Sequence, residues 1–406
     1  MTSTPLVTIA PGHGGRAGHD TPEALLGVYR RAPMELVRGK GVWLFDADGN
    51  RYLDFTSGIG VNALGYGDEA LAGAMREAMS GGLVHVSNLF RTAPGRELAA
   101  ALLQRSSAAS VFFCNSGAEA NEGAFKFARR WARDHGGVGK HEILALRGSF
   151  HGRLFASLAA TDRPSYRIPF RPLAGGVSIV ERDVGVLEHA LDEETVAALI
   201  IEPVQGEGGV RVLEPEFLRA VRDLTRERGI ALILDEVQCG LGRTGWLFAH
   251  ERAEIEPDLL TLAKPLAGGL PMGAVLLSRQ IAATIQPGDH ATTFGGGPFV
   301  AAVALHVLTR LADDDLLSRV RTQGAWLGEV LSGIASRSAV CRGVRGIGYM
   351  WGVDVKIPST EIVSRALDAG VLLCSAGEHT VRLLPPLVAT QEELAWGLDV
   401  LTGVLR

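Results

Sequence analysis

The sequence contains few cysteines and no excess of basic residues, and both absences narrow the possible functions. Its cysteines, Cys114, Cys239, Cys341 and Cys374, lie too far apart for a C-x-x-C metal or redox motif and are too few for a disulfide framework. Lys and Arg number 40 against 45 Asp and Glu, which gives a formal net charge of −5. No basic surface for nucleic acid or an anionic membrane is expected from this balance. We expect a reducing, cytoplasmic environment, no metal site, and partners that are small molecules or further copies of this chain.

Long apolar runs are also absent. None reaches the roughly 18 residues that a membrane span requires. Residues 1–20 are small, polar and Gly-rich, without the basic start and continuous apolar run of a signal peptide. The chain has 406 residues, of which 47% are hydrophobic and 21% charged, as is typical of a globular protein with a large core. We therefore expect a globular protein of two or three domains.

Short apolar runs alternate with amphipathic stretches between about residues 70 and 280. This alternation is typical of an α/β fold with a mostly parallel sheet and crossover helices. Before it, two strand-like segments flank Asp48-Gly49 and predict a β-hairpin, and a helix is expected to start at Thr21. The predicted strands of the sheet are Ser110–Cys114, Glu142–Leu146, Ala198–Ile201, Ala231–Leu234, Leu259–Leu262 and Ala274–Leu277.

A long Ala/Leu/Val-rich helix is expected from about Phe299, followed by an α+β segment, Cys341 to Arg406. We predict three parts: residues 1–70 form an N-terminal arm and hairpin, 71–298 a large domain, and 299–406 a C-terminal part. The first and third parts together would make a smaller α+β domain.

Chemically useful residues follow three of the predicted strands, where α/β sheets bind their ligands. The segment Asn115–Glu122 opens a helix whose free N–H groups can hold a phosphate, although a simple capped turn explains it about as well. Asp235 ends another strand, where a buried carboxylate needs a cationic partner such as a protonated pyridine nitrogen. An Asp that only caps a loop is an equally good explanation of that position alone.

A single lysine, Lys264, follows the strand Leu259–Leu262 among apolar residues and glycines. An amine in such surroundings has a lowered pKa and can act as a nucleophile toward an aldehyde. Most lysines are instead surface residues whose ammonium group extends into water. The adjacent Pro265 and the pair Gly268-Gly269 favour the buried alternative.

These segments resemble the class III aminotransferases of fold type I, most closely the acetylornithine and ornithine aminotransferases. The resemblance covers nearly the whole chain, from Gly41 to about Leu387, and several separate motifs occur in the family's order. The motifs are Asn115–Asn121 (NSGAEAN), Ser149–Arg153 (SFHGR), Glu202–Gly209 (EPVQGEGG), Leu234–Gln238 (LDEVQ), Gly242–Gly245 (GRTG), Leu262–Lys264 (LAK) and Thr292–Gly296 (TTFGG).

The resemblance implies pyridoxal 5′-phosphate as the cofactor, bound by the large domain. Lys264 would hold the cofactor as a Schiff base and move the proton between the substrate Cα and the cofactor C4′. Asp235 would pair with the pyridinium nitrogen, and Gln238 would lie near the phenolic oxygen. Phe150 and Val237 would contact the two faces of the ring.

The resemblance also implies phosphate-binding and subunit contacts. Gly117 and Ala118 would donate backbone N–H groups to the phosphate. Thr293 would reach the phosphate of the neighbouring subunit's cofactor, which implies a homodimer with shared active sites. Thr292, in the same motif, is a candidate substrate residue.

Two arginines are implied to bind substrate carboxylates. Arg153 matches a carboxylate clamp, whose planar guanidinium suits bidentate recognition. Arg382 matches the arginine that binds the α-carboxylate of glutamate or 2-oxoglutarate, although a surface or edge-strand arginine is the alternative. Glu207 matches an acid that masks this arginine while the amine donor is bound. His151 is expected to have a structural role.

The implied reaction is a ping-pong transamination of an ω-amine, with N2-acetylornithine as donor and 2-oxoglutarate as acceptor, in arginine biosynthesis. Ornithine, succinylornithine, 4-aminobutyrate and a carrier-linked lysine precursor are alternative donors. Two positions depart from the family pattern. Gly297 stands where Asn is usual, and Tyr66-Gly67-Asp68-Glu69 replaces a His-rich stretch.

A nicotinamide-dependent dehydrogenase is a competing hypothesis, because Gly240–Gly245 reads G-x-G-x-x-G directly after a predicted strand. That fingerprint should open a helix, and Trp246–His250 is poorly suited to begin one. A catalytically silent binding protein on the same fold is disfavoured by the intact Lys264 and Asp235. An aminomutase, decarboxylase or racemase that uses the same cofactor remains open.

Overall fold

The computed structural model describes residues 25–406. Most of the predicted N-terminal arm and the start of the helix expected from Thr21 lie outside this range. From Leu25 to Glu35 the chain contains no helix, so the predicted helix does not extend into the described residues.

The chain forms seventeen strands within the described residues. They are β1 (Leu36–Lys40), β2 (Trp43–Asp46), β3 (Arg51–Asp54), β4 (Ser110–Cys114), β5 (Glu142–Leu146), β6 (Val177–Val180), β7 (Val196–Ile201), β8 (Val204–Gln205), β9 (Arg211–Val212), β10 (Ala231–Asp235), β11 (Leu259–Leu262), β12 (Gly273–Leu277), β13 (Cys341–Ile347), β14 (Met350–Val355), β15 (Val371–Leu372), β16 (Cys374–Ser375) and β17 (Thr380–Leu383).

Helices connect and cover these strands. The α-helices are α1 (Ser57–Gly60), α2 (Glu69–Ser80), α3 (Ala93–Leu103), α4 (Gly117–Gly136), α5 (Phe155–Ala159), α6 (Pro164–Arg167), α7 (Val184–Ala190), α8 (Pro215–Glu227), α9 (Arg279–Ala282), α10 (Pro298–Leu311), α11 (Asp314–Arg337), α12 (Ser359–Asp368) and α13 (Gln391–Val404), with 3-10 helices at Ile168–Phe170, Ala249–Ala253 and Lys264–Ala267.

The central sheet has seven strands in the order β4-β12-β11-β10-β7-β5-β6. All neighbouring strands are parallel except β12, which runs antiparallel to both β11 and β4. Strands β7, β10, β11 and β12 are buried along their whole length, as expected for strands covered by helices on both faces. The predicted mostly parallel α/β sheet is therefore confirmed, with one reversed strand.

Local sequence signals explain where the main helices begin and end. At the start of α4, the hydroxyl of Ser116 accepts a hydrogen bond from the N–H of Glu119 at 3.2 Å, which is an N-cap. Helix α8 begins with Pro215 and ends just before Gly229, whose φ of 57° is the left-handed conformation that glycine adopts after a helix.

A second sheet joins the two ends of the described chain. Strands β2 and β3 form the predicted hairpin, and β15 from the C-terminal part pairs parallel with β3. A third, antiparallel sheet has the order β13-β14-β17-β16 and consists only of C-terminal residues. The domain boundaries at residues 70 and 298 stay predictions.

The sheet topology places the functional residues. Because β4 and β11 are both antiparallel to β12, the carboxyl end of β4 lies at the same edge as those of β11, β10, β7 and β5. The segments that follow these strands therefore meet there, as the strand-end argument predicts. No helix of residues 25–406 is both long and apolar enough for a membrane span.

Candidate active site

A cavity of about 400 Å³ lies at this edge of the sheet. Its walls come from the segments that follow β4, β5, β7, β10 and β11, and from Val61 after α1. The predicted site residues that line it are Gly117, Ala118, Phe150, Arg153, Glu207, Asp235, Val237, Gln238 and Lys264. The structure thus brings together residues that are as far apart in the sequence as Gly117 and Lys264, which are 147 positions apart.

Asp235 is a buried acid held by three hydrogen bonds. Its Oδ2 accepts from Nδ2 of Asn121 at 2.7 Å and lies 2.8 Å from Nδ1 of His151. Its Oδ1 accepts from the N–H of Val237 at 3.0 Å. The three contacts engage both oxygens of this buried carboxyl group and fix its orientation. The hydroxyl of Thr261 donates to Oδ1 of Asn121 at 2.8 Å, which fixes the orientation of that amide.

Sequence analysis did not identify Asn121, and it gave His151 only a general structural role. The ring of His151 is buried between Asp235 and the cavity, and its Nε2 has no hydrogen-bond partner in the described part of the chain. Asn121 is the last residue of the family motif Asn115–Asn121, on the buried face of α4. Its polarity on that face is the signal that could have identified it.

Lys264 begins the 3-10 helix after β11, and its side chain lines the cavity. Burial lowers the pKa of its amine, and the nearby Asp235 carboxylate opposes this only in part. The φ of Lys264 is 23°, a left-handed conformation that is strained for a residue with a side chain. Strain of this kind, held in place by the surrounding fold, is concentrated at functional sites. The amine is therefore an available nucleophile at the cavity wall.

The N-terminus of α4 faces the same cavity. The first N–H groups of a helix, here those of Gly117 and Ala118, have no acceptor within the helix and attract anions. A Cβ at Gly117 would lie 2.5 Å from Cγ1 of Val237, so only glycine fits against this side chain. Val237 thus packs directly on the turn that is predicted to hold a phosphate.

Arg382, Glu207 and Gln238 form a connected group. The guanidinium of Arg382 is 1% exposed, and its Nη1 lies 2.6 Å from Oε1 of Glu207 and 3.0 Å from Oε1 of Gln238. Its Nε contacts Sγ of Cys374 at 3.4 Å on the adjacent strand β16. Glu207 is less enclosed, with 23% of its side chain exposed. The buried arginine is therefore fixed, and the acid is the partner with room to move.

Arg153 lies at the cavity wall without an acidic partner. Its guanidinium carbon is 3.5 Å from the ring centroid of Tyr166 and 5.7 Å from that of Phe150. Within residues 25–406 it forms no ion pair and no hydrogen bond. Its five N–H donors are consequently available to a ligand.

Glu202 is a second acid that sequence analysis placed in a motif without giving it a role. It lines the cavity, and its Oε2 accepts a hydrogen bond from the N–H of Phe150 at 3.1 Å. Burial raises the pKa of Glu202 well above its usual value, and the neighbouring Asp235 carboxylate raises it further. Glu202 is thus held toward its neutral form beside Asp235.

Thr292 and Thr293 do not line this cavity. They lie in a separate surface groove together with Asn88 and Phe113. The hydroxyl of Thr292 accepts a hydrogen bond from Nδ2 of Asn115 at 3.2 Å, so the groove adjoins the start of α4.

The loop Gly240–Gly245 does not have the geometry of a dinucleotide-binding fingerprint. It forms turns after β10, and the next helix is only the 3-10 helix Ala249–Ala253. Arg243 of this loop is buried and donates to the backbone carbonyls of Tyr349 and Pro385. The loop therefore packs on the C-terminal part and offers no helix N-terminus to a pyrophosphate. In the described residues no group of three or more His, Cys, Asp or Glu side chains could hold a metal ion.

Comparisons with known proteins agree with this geometry. A family model described as "Aminotransferase class-III" matches residues 28–405. The mitochondrial acetylornithine aminotransferase of Alnus glutinosa is 43% identical over 386 residues, which are 94% of this chain and 85% of that protein.

Solved structures are similar over the same range. The ornithine aminotransferase of Toxoplasma gondii ME49 superposes with a TM-score of 0.90 at 30% identity, covering 94% of this chain and 92% of that one. A further structure of the Toxoplasma gondii enzyme has partial occupancy of pyridoxal phosphate at its active site. The N-acetylornithine aminotransferase of Stenotrophomonas maltophilia K279a gives a TM-score of 0.80 at 37% identity, covering 92% and 96% of the two chains.

Proposed function

The chain belongs to the class III aminotransferase family, and we propose that it transfers the ω-amino group of N2-acetylornithine to 2-oxoglutarate. The products are N-acetylglutamate 5-semialdehyde and glutamate, and the reaction serves arginine biosynthesis. One observation carries the proposal: Lys264, Asp235 and the N-terminus of α4 surround one cavity that is also lined by Arg153 and by Glu207, the acid paired with the buried Arg382. The acetylornithine donor is supported by the relatives that carry this name.

The residues of the cavity fit pyridoxal 5′-phosphate. An amine with a lowered pKa, a buried acid and a helix N-terminus are the three groups that an aldehyde, a pyridine nitrogen and a phosphate require. The glycine at 117 keeps the backbone N–H groups accessible, since a Cβ there would collide with Val237. Lys264 would hold the aldehyde carbon, Asp235 the pyridine nitrogen, and Gly117 and Ala118 the phosphate. When bound, the cofactor supplies an electron sink for the substrate carbon.

Lys264 also suits the proton transfer. Because burial lowers the pKa of its amine, a larger fraction is neutral near pH 7 than for an exposed lysine. A neutral amine can take the proton from the substrate carbon that bears the amino group and return it. Asp235, held by its three hydrogen bonds, would place a carboxylate against the pyridine nitrogen and make a positive charge there favourable. Phe150 and Val237 would limit the cofactor ring on its two faces.

The arginines explain how one cavity accepts two different substrates. With acetylornithine, whose reacting end carries no carboxylate, Arg382 stays paired with Glu207 and the distal carboxylate reaches Arg153. With 2-oxoglutarate, the carboxylate next to the reacting carbon displaces Glu207 from Arg382, and the other carboxylate reaches Arg153. The difference in exposure supports this order of events, because Arg382 is buried while Glu207 is partly accessible. Gln238 holds Arg382 in either state and would lie near the phenolic oxygen of the cofactor.

A homodimer with shared active sites is part of the proposal. Thr293 lies in a groove whose neighbourhood includes Leu89, Phe90 and Phe294, which are 88%, 67% and 67% exposed. Exposed apolar side chains at this density are typical of a protein interface. A second copy would cover them and bring Thr293 toward its cofactor phosphate, and Thr292 toward its substrate. Sedimentation equilibrium at micromolar concentration tests this, and a monomer would contradict it.

The division into residues 1–70, 71–298 and 299–406 is proposed on the pairing of β15 with β3, which ties the two ends of the chain into one unit. The cytoplasmic location stays a prediction, since one relative is named as a mitochondrial enzyme.

The near-visible absorption spectrum of the purified holoenzyme tests the function. Acetylornithine should remove the absorption band of the bound aldehyde cofactor, and 2-oxoglutarate should restore it. Ornithine, succinylornithine and 4-aminobutyrate at equal concentration serve as comparison donors. If acetylornithine leaves the band unchanged, the donor is wrong. If no band forms after reconstitution with pyridoxal phosphate, the cofactor assignment is wrong.

A further inference from the structure

Tyr166 lies behind Arg153 as seen from the cavity. The guanidinium carbon of Arg153 is 3.5 Å from the centroid of the Tyr166 ring, which is close face-on contact. Arg153 lines the cavity, whereas Tyr166 is not one of the lining residues. The ring can therefore act on a ligand in the cavity only through the arginine.

The contact holds Arg153 without using its hydrogen-bond donors. An aromatic ring attracts a guanidinium through its π face, and the N–H groups remain at the edge of the guanidinium plane. A carboxylate partner would instead occupy the same N–H pair that a substrate carboxylate needs. Since Arg153 has no ion pair or hydrogen bond in residues 25–406, the ring is its principal restraint.

The backbone that carries Tyr166 is itself anchored to the site. Tyr166 belongs to the short turn α6, which starts with Pro164 after Arg163. The guanidinium of Arg163 donates to the backbone carbonyl of Glu207, and the N–H of Tyr166 donates to the carbonyl of Arg163 at 2.9 Å. The same turn thus contacts the segment that bears Glu207 and the side chain of Arg153.

From this geometry we propose that Tyr166 is a positioning residue for substrate carboxylates. Its ring holds the guanidinium of Arg153 in one place, so that less side-chain freedom is lost when a carboxylate binds. It thereby sets the affinity for both the donor and the acceptor, and it does not take part in the chemical step. This inference rests on the proposed function, because that function assigns Arg153 to the carboxylate distant from the reacting end.

The hydroxyl of Tyr166 contributes nothing to this role, since it has no hydrogen-bond partner among the described residues. Tyr166→Phe keeps the ring and should leave both KM values within about twofold of wild type. Tyr166→Met keeps apolar volume without a ring. It should raise KM for acetylornithine and for 2-oxoglutarate about fivefold, with kcat within about twofold, as expected for loss of one cation–π contact at a partly exposed site.

A double-mutant cycle separates this role from a general structural one. In an Arg153→Ala background, Tyr166→Met should have no further effect on either KM, because the ring acts only through the arginine. A matched control is Phe45→Met, which removes a ring lying 3.8 Å from the guanidinium carbon of Arg38 in the N-terminal hairpin, outside the cavity. This control should leave both KM values unchanged. Equal effects of Tyr166→Met in both backgrounds, or no effect in the wild-type background, would overturn the proposal.

Binding of glutarate to the holoenzyme, measured by calorimetry, gives a readout that does not depend on the donor. Glutarate carries two carboxylates and no reacting group, so its dissociation constant should also rise about fivefold in Tyr166→Met. If wild-type protein fails to use acetylornithine while the glutarate effect is present, the donor is wrong and the role of Tyr166 stands. If acetylornithine is used and the glutarate effect is absent, the role of Tyr166 is wrong. Tyr166→Leu replaces Tyr166→Met in every assay if the latter does not fold.

Discussion

Replacing Glu207 by Gln should tighten the binding of 2-oxoglutarate and of glutamate, because the competitor for Arg382 becomes weaker. In the structure Oε1 of Glu207 lies 2.6 Å from Nη1 of Arg382, whose side chain is 1% exposed. A substrate carboxylate must displace this oxygen to reach the guanidinium. The amide in Glu207→Gln keeps the shape and one hydrogen bond but loses the charge.

The size of the effect follows from the difference between the two hydrogen bonds. A hydrogen bond to a charged group contributes about 1.5–3 kcal/mol, and we place the Glu207 ion pair near the upper end of this range and the amide of Glu207→Gln near the lower end. We take a difference of about 1 kcal/mol, because Glu207 is 23% exposed and water screens part of its charge. At about 1.4 kcal/mol per factor of ten, KM for 2-oxoglutarate should fall about fivefold.

Steady-state kinetics with each substrate varied in turn measure this effect. KM for acetylornithine should stay within about twofold, since that substrate leaves the pair intact, and glutamate should become a better amine donor. The substitution does not alter the 3.0 Å contact between Gln238 and Arg382, so the guanidinium stays in place. The control is Glu181→Gln, which breaks a surface pair with Arg147 outside the cavity. An unchanged KM for 2-oxoglutarate would refute the masking role of Glu207.

Three further substitutions test other parts of the structure. Lys264→Ala should give a folded protein without multiple turnover, because the buried amine is the proposed base; continued formation of glutamate in a coupled assay would exclude that role. Asp235→Asn should lower kcat by at least about a hundredfold, because the pyridine nitrogen would lose its anionic partner and an uncompensated buried charge costs about 3 kcal/mol. Titration with pyridoxal phosphate should also show weaker retention of the cofactor. A normal kcat would contradict the assignment. Arg222→Met leaves the buried carboxylate of Asp258 without the guanidinium that lies 2.5 Å away. It should lower the free energy of unfolding, measured in urea, by about 3 kcal/mol. A change below about 1 kcal/mol would show that the pair behaves like a surface ion pair.

Local patterns in the sequence were sufficient to predict the positions of most strands in the central sheet. The predicted strands Ser110–Cys114, Glu142–Leu146 and Leu259–Leu262 agree with β4, β5 and β11 to the residue. A strand buried on both faces needs a short continuous apolar run, and such a run can be recognised without knowledge of its neighbours. Strand β6 was missed because it lies at the edge of the sheet, is only partly buried and contains a polar Ser178. The direction of β12 could not be predicted, since an apolar run does not specify whether its neighbours are parallel.

The sequence by itself also determined which segments carry the chemistry, because ligand-binding residues of α/β sheets lie at the carboxyl ends of strands. Lys264, Asp235 and the turn Asn115–Asn121 all lie at such strand ends. Only the tertiary structure decided which of these residues touch. The contacts of Asp235 with Asn121 and His151, of Arg382 with Glu207, and of Arg153 with Tyr166 join positions that are 114, 84, 175 and 13 residues apart. Hydrophobic periodicity reports the environment of each residue within its own element. Contacts between elements depend on strand order and loop paths, which are fixed only when the whole core packs.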